Sequence, residues 1–423
     1  MWSNILSFKY LHHLPSYLIL FSFLFIGFVP NFYTIDNIGS QWFYLSLLNF
    51  VFIIVNINHK DFFSFFLPKI YALIAFRYFL LFSFLAFLSL FYTQNLKLSI
   101  VDFSRLLIII FSILNLSFIL FKKSIKLYVI SVCISITLFF EVAYSFVPLI
   151  QYLINDSFFD VDFNLLSFAL KGVAGNKNIM ASSIAFKLPF LIYLIFKSTK
   201  KFKYLFSIIL SFSLVLLYFL SARASYISAF LSISLFLFYL LFFQFKSFLK
   251  SFLFILVPFL ILFFSIQLVI NIDSNYGSNT KMTNLSIVDE SSNNRLILYE
   301  NALDYISNHP IIGCGIGNWK IESLPYWKSL MSGYIVPYHA HNDFLELATE
   351  TGLLGGLSYL FVFISIFLWS LNQFRIKKDI FSVLIFCVTS VYFIDAMLNF
   401  PLERAISQVN FITIISLLFF HIN

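Results

Sequence analysis

The chain has 423 residues, of which 61% are hydrophobic and only 11% charged, with 61 phenylalanines and a formal net charge of +8; its mean hydropathy is +0.92. Soluble domains carry about 25% charged residues, so this composition excludes an ordinary soluble domain. Apolar runs near 20 residues read as membrane spans, and hydrocarbon leaves no partner for an unpaired backbone group, so those runs must be helical.

The expected fold is therefore an all-α polytopic membrane protein. The opening MWSNILSFKYLHH places Lys9 ahead of an apolar run but offers no small-x-small cleavage site, and reads as leading into a retained first span. Twelve spans are expected, near 14–30, 42–57, 70–92, 106–121, 127–151, 179–196, 204–222, 224–244, 251–272, 353–374, 380–399 and 405–421, the fourth open to an earlier start near Leu98. Between the seventh and eighth lies only the short turn Ser221-Ala222-Arg223-Ala224. The chain divides into 1–272 with spans one to nine, a long, partly helical loop at 273–352, and 353–423 with spans ten to twelve. Within the long loop Ser291–Asn294 can cap a helix running to Ile306, followed by the turn-rich HPIIGCGIGNW. No repeat of 20–50 residues is visible.

Alternate connections sort by charge. One set holds Lys9, Lys60, Lys122, Lys123, Lys200, Lys201, Arg375 and Lys377 among others, against only Asp61 and Asp379. Cytoplasmic loops collect Lys and Arg, so both termini are expected in the cytoplasm and loops 152–178 and 273–352 outside. The positive charge thus reflects topology, not nucleic acid. The three cysteines show no metal spacing, and Cys133 and Cys387 read as small packing residues.

The densest chemistry is HAHNDFLELATETGLLGG, from His339 to Gly356. At about 100° per residue, His339, Asn342, Asp343, Glu346 and Glu350 share one stripe, while His341 projects elsewhere unless it precedes the regular turn. The stripe is either a site or the solvated acidic edge of an amphipathic surface helix. Arg223 either binds a ligand or snorkels to headgroups. Arg295 near a helix start opposes the dipole, which favours a ligand. Inside spans, Arg77, Glu141 and Lys187 should face protein or water, with Glu141 and Lys187 a possible pair. Asp395, Glu403 and Arg404 near the outer span ends are further candidates.

Several of these stretches resemble one family. His341-Asn342, nine residues, Gly352, two residues, Gly355 resembles the H-[NSQ]-x9-G-x2-G signature of bacterial O-antigen ligases. Arg295, Ala302 and HPIIGCGIGNW are similar to the stretch leading into it; Gly172-Val-Ala-Gly-Asn176-Lys-Asn178-Ile-Met-Ala181 resembles a G-x3-N-x-N-x2-A element, and Ser221-Ala222-Arg223 an S-x-R element. The likeness covers most of the chain and reaches a superfamily that also holds O-antigen polymerases and protein O-oligosaccharyltransferases.

The resemblance implies a metal-independent, inverting glycosyltransferase of the bacterial inner membrane, its active site in the periplasm. The donor is a glycan on undecaprenyl diphosphate, the acceptor lipid A–core or another glycan, and no cofactor or nucleic acid is involved. Arg223 and Arg295 are expected to hold the diphosphate, since guanidinium groups stay charged and offer paired donors to phosphate oxygens. His341 is the expected general base. Asn342, His339, Asn176, Asn178 and Glu346 are expected to contact substrate, although Glu346 and Glu350 lie outside the signature. Gly352 and Gly355 would let the tenth span approach a neighbour closely. The alternatives are a polymerase joining lipid-linked repeat units, and a transporter of lipid-linked sugars. A transporter should show paired repeats and mid-membrane polar groups, whereas the unusual polar residues here gather on one side.

Overall fold

The structure, a computed structural model, describes residues 14–32, 37–57, 60–123, 125–155, 163–276, 290–327 and 338–422. The expectations for Lys9 and the opening segment, and for residues 277–289 and 328–337 of the long loop, fall outside them. The helices are α1 (Leu14–Leu24), α2 (Asn37–Ile57), α3 (Leu67–Tyr71), α4 (Ile74–Ser89), α5 (Leu96–Lys123), α6 (Leu127–Ser145), α7 (Val147–Asn155), α8 (Phe163–Ala169), α9 (Lys177–Lys197), α10 (Lys200–Phe219), α11 (Arg223–Phe243), α12 (Phe245–Tyr276), α13 (Glu290–Asn308), α14 (Trp319–Glu322), α15 (Leu324–Trp327), α16 (Asp343–Lys377), α17 (Ile380–Leu398) and α18 (Ala405–Ile422).

Nine helices among the described residues are long and apolar enough to cross a membrane, and Phe62–Tyr71 with Ile74–Ser89, bent by 90°, makes a tenth if the pair is one span. Shorter apolar helices at Tyr17–Phe28 and Ala405–Phe419 occupy the places of the expected first and last spans. The protein is an all-α polytopic membrane protein. α5 starts at Leu96, at the earlier of the two starts considered. α13 starts at Glu290, so Ser291–Asn294 lies within its first turns and not ahead of it.

α9 is the centre of the bundle, with every residue of its apolar window buried. At that depth a lone charge would be prohibitive, and Lys187 is matched: its Nζ donates to Glu141 Oε1 on α6 at 2.6 Å and to Ser183 Oγ at 2.7 Å. Arg77 is placed differently. It is exposed at the bend before α4, where its Nε donates to the Tyr71 carbonyl at 2.7 Å and its guanidinium lies over the Tyr71 ring. The bend opens a backbone carbonyl there, so the charge needs no partner from another helix.

Lysine-rich turns gather at one end of the bundle. The Tyr239 hydroxyl, late in α11, donates to the Lys378 carbonyl ahead of α17, and Lys203 Nζ donates to Ser251 Oγ across the α10 and α12 starts. The candidate site residues collect at the opposite end.

α16 is broken at Gly352, whose φ of 78° and ψ of 168° no helix accommodates. The break is sharp. The Phe344 ring lies 5.6 Å from Tyr359 and 5.7 Å from Phe363, whereas a straight helix would separate residues 344 and 363 by roughly 28 Å. Residues 343–351 therefore fold back along the start of the membrane-crossing half. Backbone groups released by the break are taken by the HPIIGCG strap: Cys314 N donates to Thr349 O at 3.0 Å and Gly315 N to Glu350 O at 2.8 Å, while Leu353 N donates to Pro310 O at 2.9 Å. A Cβ on Gly352 would stand 2.2 Å from the Ile311 carbonyl oxygen, and one on Gly355 would stand 1.9 Å from Thr351 Oγ1. This revises the expected role of the two glycines: the close neighbours are the strap and the preceding turn of their own chain, not another span.

Candidate active site

His341 stands just before the folded-back helix, in the left-handed region at φ 54°. Asn342 follows as N-cap, its Oδ1 accepting from Phe344 N at 3.0 Å and Leu345 N at 3.1 Å. The imidazole is thereby thrown off the helix face. It meets the Phe400 ring edge-on at 5.0 Å. Its Nδ1 is buried with no hydrogen-bond partner among the described residues, so this is not a histidine satisfied by backbone. The Tyr299 hydroxyl shares its one proton between the His341 carbonyl at 3.1 Å and the Met397 carbonyl at 3.0 Å, pinning α13 and the end of α17 to the same spot.

Arg295 lies on α13 one turn before Tyr299 and is half-buried. Burial first, then the Arg295 charge and His339, push His341 down to about 4, so its ring is neutral at pH 7. Arg295 also acts on Asp395 of α17, which is buried near Ser182 in the first turns of α9; Asp395 Oδ1 accepts from Asn399 Nδ2 at 2.7 Å. The end of α17 thus joins Arg295 to the start of α9, where Asn176 and Asn178 sit.

Arg223 is the first residue of α11, half-buried, after Ser221 with φ 51° and the N-cap Ala222. α11 runs antiparallel to α17: Tyr239 contacts Lys378, and Ser232 O accepts from Cys387 Sγ at 3.3 Å. Continued to the start of α11, that register carries Arg223 to the level of Asp395. Both arginines and His341 therefore belong to one end of the bundle.

The cavity beside them has the opposite character. Asp102, Asp343, Glu346, Glu350 and Glu403 line it, with Arg105 as the one cation among the lining residues. Arg105 bonds Asp102 at 2.7 Å and also pairs with Glu403, while Lys320 Nζ stands 3.6 Å from Asp102. Glu403 is held below its ordinary value: burial works against this, but Arg105, His339 and Lys320 together outweigh it. Asp343 is 3% exposed and Glu350 5%, which overturns the solvated-edge reading of the acidic stripe. Glu350 Oε1 accepts from Trp319 N at 3.2 Å, and a Cβ on Gly317 would stand 2.2 Å from Asp102 Oδ2, so only glycine lets the loop settle on that carboxylate. Among the described residues, no group of three or more His, Cys, Asp or Glu side chains is arranged to hold a metal ion.

Several expected substrate contacts have work inside the fold. Asn176 caps α9, its Oδ1 accepting from Asn178 N at 2.9 Å and Ile179 N at 3.4 Å, and Asn342 caps α16; each keeps only its amide donors for a ligand. Asn178 sits in the first turn of α9. Glu346 Oε1 bonds His339 Nδ1 and its Oε2 accepts from Ala340 N, both at 2.8 Å, so it ties the histidine loop to the helix it enters. Burial opposes charge on His339, but Glu346 and then Glu403 outweigh it and raise its pKa. Sequence reasoning passed over Asp102, Arg105, Lys320 and Phe400. Asp102 and Arg105, three residues apart at the head of an apolar run, carried a readable signal, because ionisable groups there need partners.

Residues 206–360 match the family described as O-antigen ligase, a stretch that includes Arg223, Arg295, His341, Gly352 and Gly355. No curated protein matches the chain. Over that stretch the chain is similar to the O-antigen ligase/polymerase superfamily, a family of membrane glycosyltransferase type.

Proposed function

We propose that the protein moves a glycan from a polyprenyl diphosphate, undecaprenyl diphosphate in the bacterial inner membrane, to an acceptor hydroxyl, and that its reaction is ligation of O-antigen to lipid A–core. The observation that carries this reading is a neutral, buried imidazole under the influence of Arg295, with Arg223 at the same end of the bundle. The positive-inside distribution of lysines supports a periplasmic position for that end.

In this scheme the acceptor oxygen attacks the anomeric carbon as its proton passes to His341. The bond from that carbon to the diphosphate oxygen breaks, its electron pair leaves on the diphosphate, and the configuration inverts. Arg223 and Arg295 hold the charge that grows there; losing one such preorganised donor typically costs on the order of 10²–10³ in rate. An imidazole held at about 4 is by itself a weak base. A bound diphosphate offsets the Arg295 charge, so substrate itself raises the basicity of His341. The acidic cavity repels phosphate and suits a hydroxyl-rich sugar, which leaves the diphosphate to the arginine side. The scheme asks for no metal.

Purified protein with a lipid-linked donor tests this: His341→Ala and Arg295→Ala should each abolish transfer while leaving the fold intact, and transfer retained in both discards the assignment. A deletion strain separates ligase from polymerase on a lipopolysaccharide gel. Loss of the whole ladder with accumulation of lipid-linked polymer indicates ligation, and collapse to a single repeat on core indicates polymerisation.

A further inference from the structure

The strap that satisfies the broken helix also presents apolar side chains that fill no core. Ile311 is 83% exposed and Ile312 56%. Their position is fixed, because Pro310 O accepts from Leu353 N and the Ile311 carbonyl occupies the space a side chain at Gly352 would take. They stand at the head of the membrane-crossing half of α16, whose first residues Leu353 and Leu354 are exposed as well. Just past the end of α4, which packs along α16, Phe91 is exposed too.

A bulky apolar pair left in water forfeits the stabilisation that burial would recover, and such patches mark interfaces. The occupant follows from continuity. Phe87 of α4 and Phe361 of α16 are exposed on the same pair of helices further down, where a membrane span meets acyl chains. The patch prolongs that lipid-facing surface past the end of the span. We propose that Ile311 and Ile312 are seated in the headgroup–acyl boundary of the leaflet nearest the site, so that the strap is a membrane anchor. The strap holds Thr349 and Glu350 by hydrogen bonds, so the anchor fixes the height of the folded-back helix, and of His341 ahead of it, above the lipid.

This inference is independent of the chemistry assigned to the site, and its test uses no turnover. The full chain in liposomes would carry a nitroxide at Ile311→Cys or Ile312→Cys, with exposed Glu300→Cys on α13 as the aqueous reference. The native Cys133, Cys314 and Cys387 are buried. Both test positions should relax with oxygen, which concentrates in hydrocarbon, and be shielded from a water-soluble nickel chelate, the reverse of position 300. A bimane at either position, quenched by acyl-brominated lipid, reads the same depth independently. Nickel accessibility matching position 300 would overturn the proposal, and so would shielding from both relaxants, which would mean a protein cover.

Discussion

His339 and Phe400 lie face to face, 4.4 Å between ring centroids and 15° between planes, while the same Phe400 ring receives His341 edge-on. One ring, supplied from beyond α17, therefore sets the direction of both histidines. Phe400→Leu should leave expression and fold unchanged but release His341. Misplacement on the scale of 1 Å can cost about 10²-fold in rate, and the loss should fall on kcat with KM little moved. Phe400→Tyr, which keeps the ring, should restore most of it. Equal loss in both variants would show that the ring does not position His341.

The electrostatics of the two histidines have opposite signs. An unfolded imidazole titrates near 6.5, and folded His341 is pushed down to about 4. Between those values the unfolded chain binds a proton that the folded chain refuses, so the His341 contribution is present above about pH 6.5 and is lost as pH falls toward 4. His339 is raised, so its contribution is present below about pH 6.5 and is lost as pH rises through its folded value. Arg295→Gln should move the His341 pKa upward in a histidine NMR titration. It should stay short of 6.5, because burial is the larger cause. An unmoved value would mean that the two residues do not interact.

Gly352→Ala should be the most damaging of the glycine substitutions at the break. The φ of 78° is strained for any side chain, and the new methyl meets the Ile311 carbonyl at 2.2 Å. Strain of this kind costs on the order of 1–3 kcal/mol before the clash is counted. Thermal unfolding in detergent should show a lower midpoint together with loss of transfer; an unchanged midpoint would contradict the fold-back.

The Glu141–Lys187 pair offers a double-mutant test. Lys187→Met leaves Glu141 buried without its cation and should destabilise by about 3–5 kcal/mol, whereas Lys187→Met with Glu141→Leu should recover most of that. Additive losses in unfolding measurements would show that the two are not energetically coupled.

The spans were legible because hydropathy reports directly on burial in lipid, and the break at Gly352 was legible as a boundary between helix and span. The start of α5 was less so, since Asp102 and Arg105 looked like loop residues until Glu403 and Lys320 arrived from distant sequence to hold them. For the same reason the acidic stripe of α16 left a solvated edge open as an alternative: its cover comes from α5 and residues 401–403, which periodicity within one helix cannot reveal. Asn176 and Asn342 looked like ligands because a capping asparagine and a substrate-binding one have the same spelling.

The most direct test separates holding from reacting. Purified Arg223→Ala, Arg295→Ala and His341→Ala would each be measured for binding of polyprenyl diphosphate and for single-turnover transfer. The account predicts that both arginine variants lose binding and transfer together, while His341→Ala binds normally and fails to transfer. Transfer by the His341 variant at the wild-type rate, or undiminished binding by either arginine variant, would contradict it.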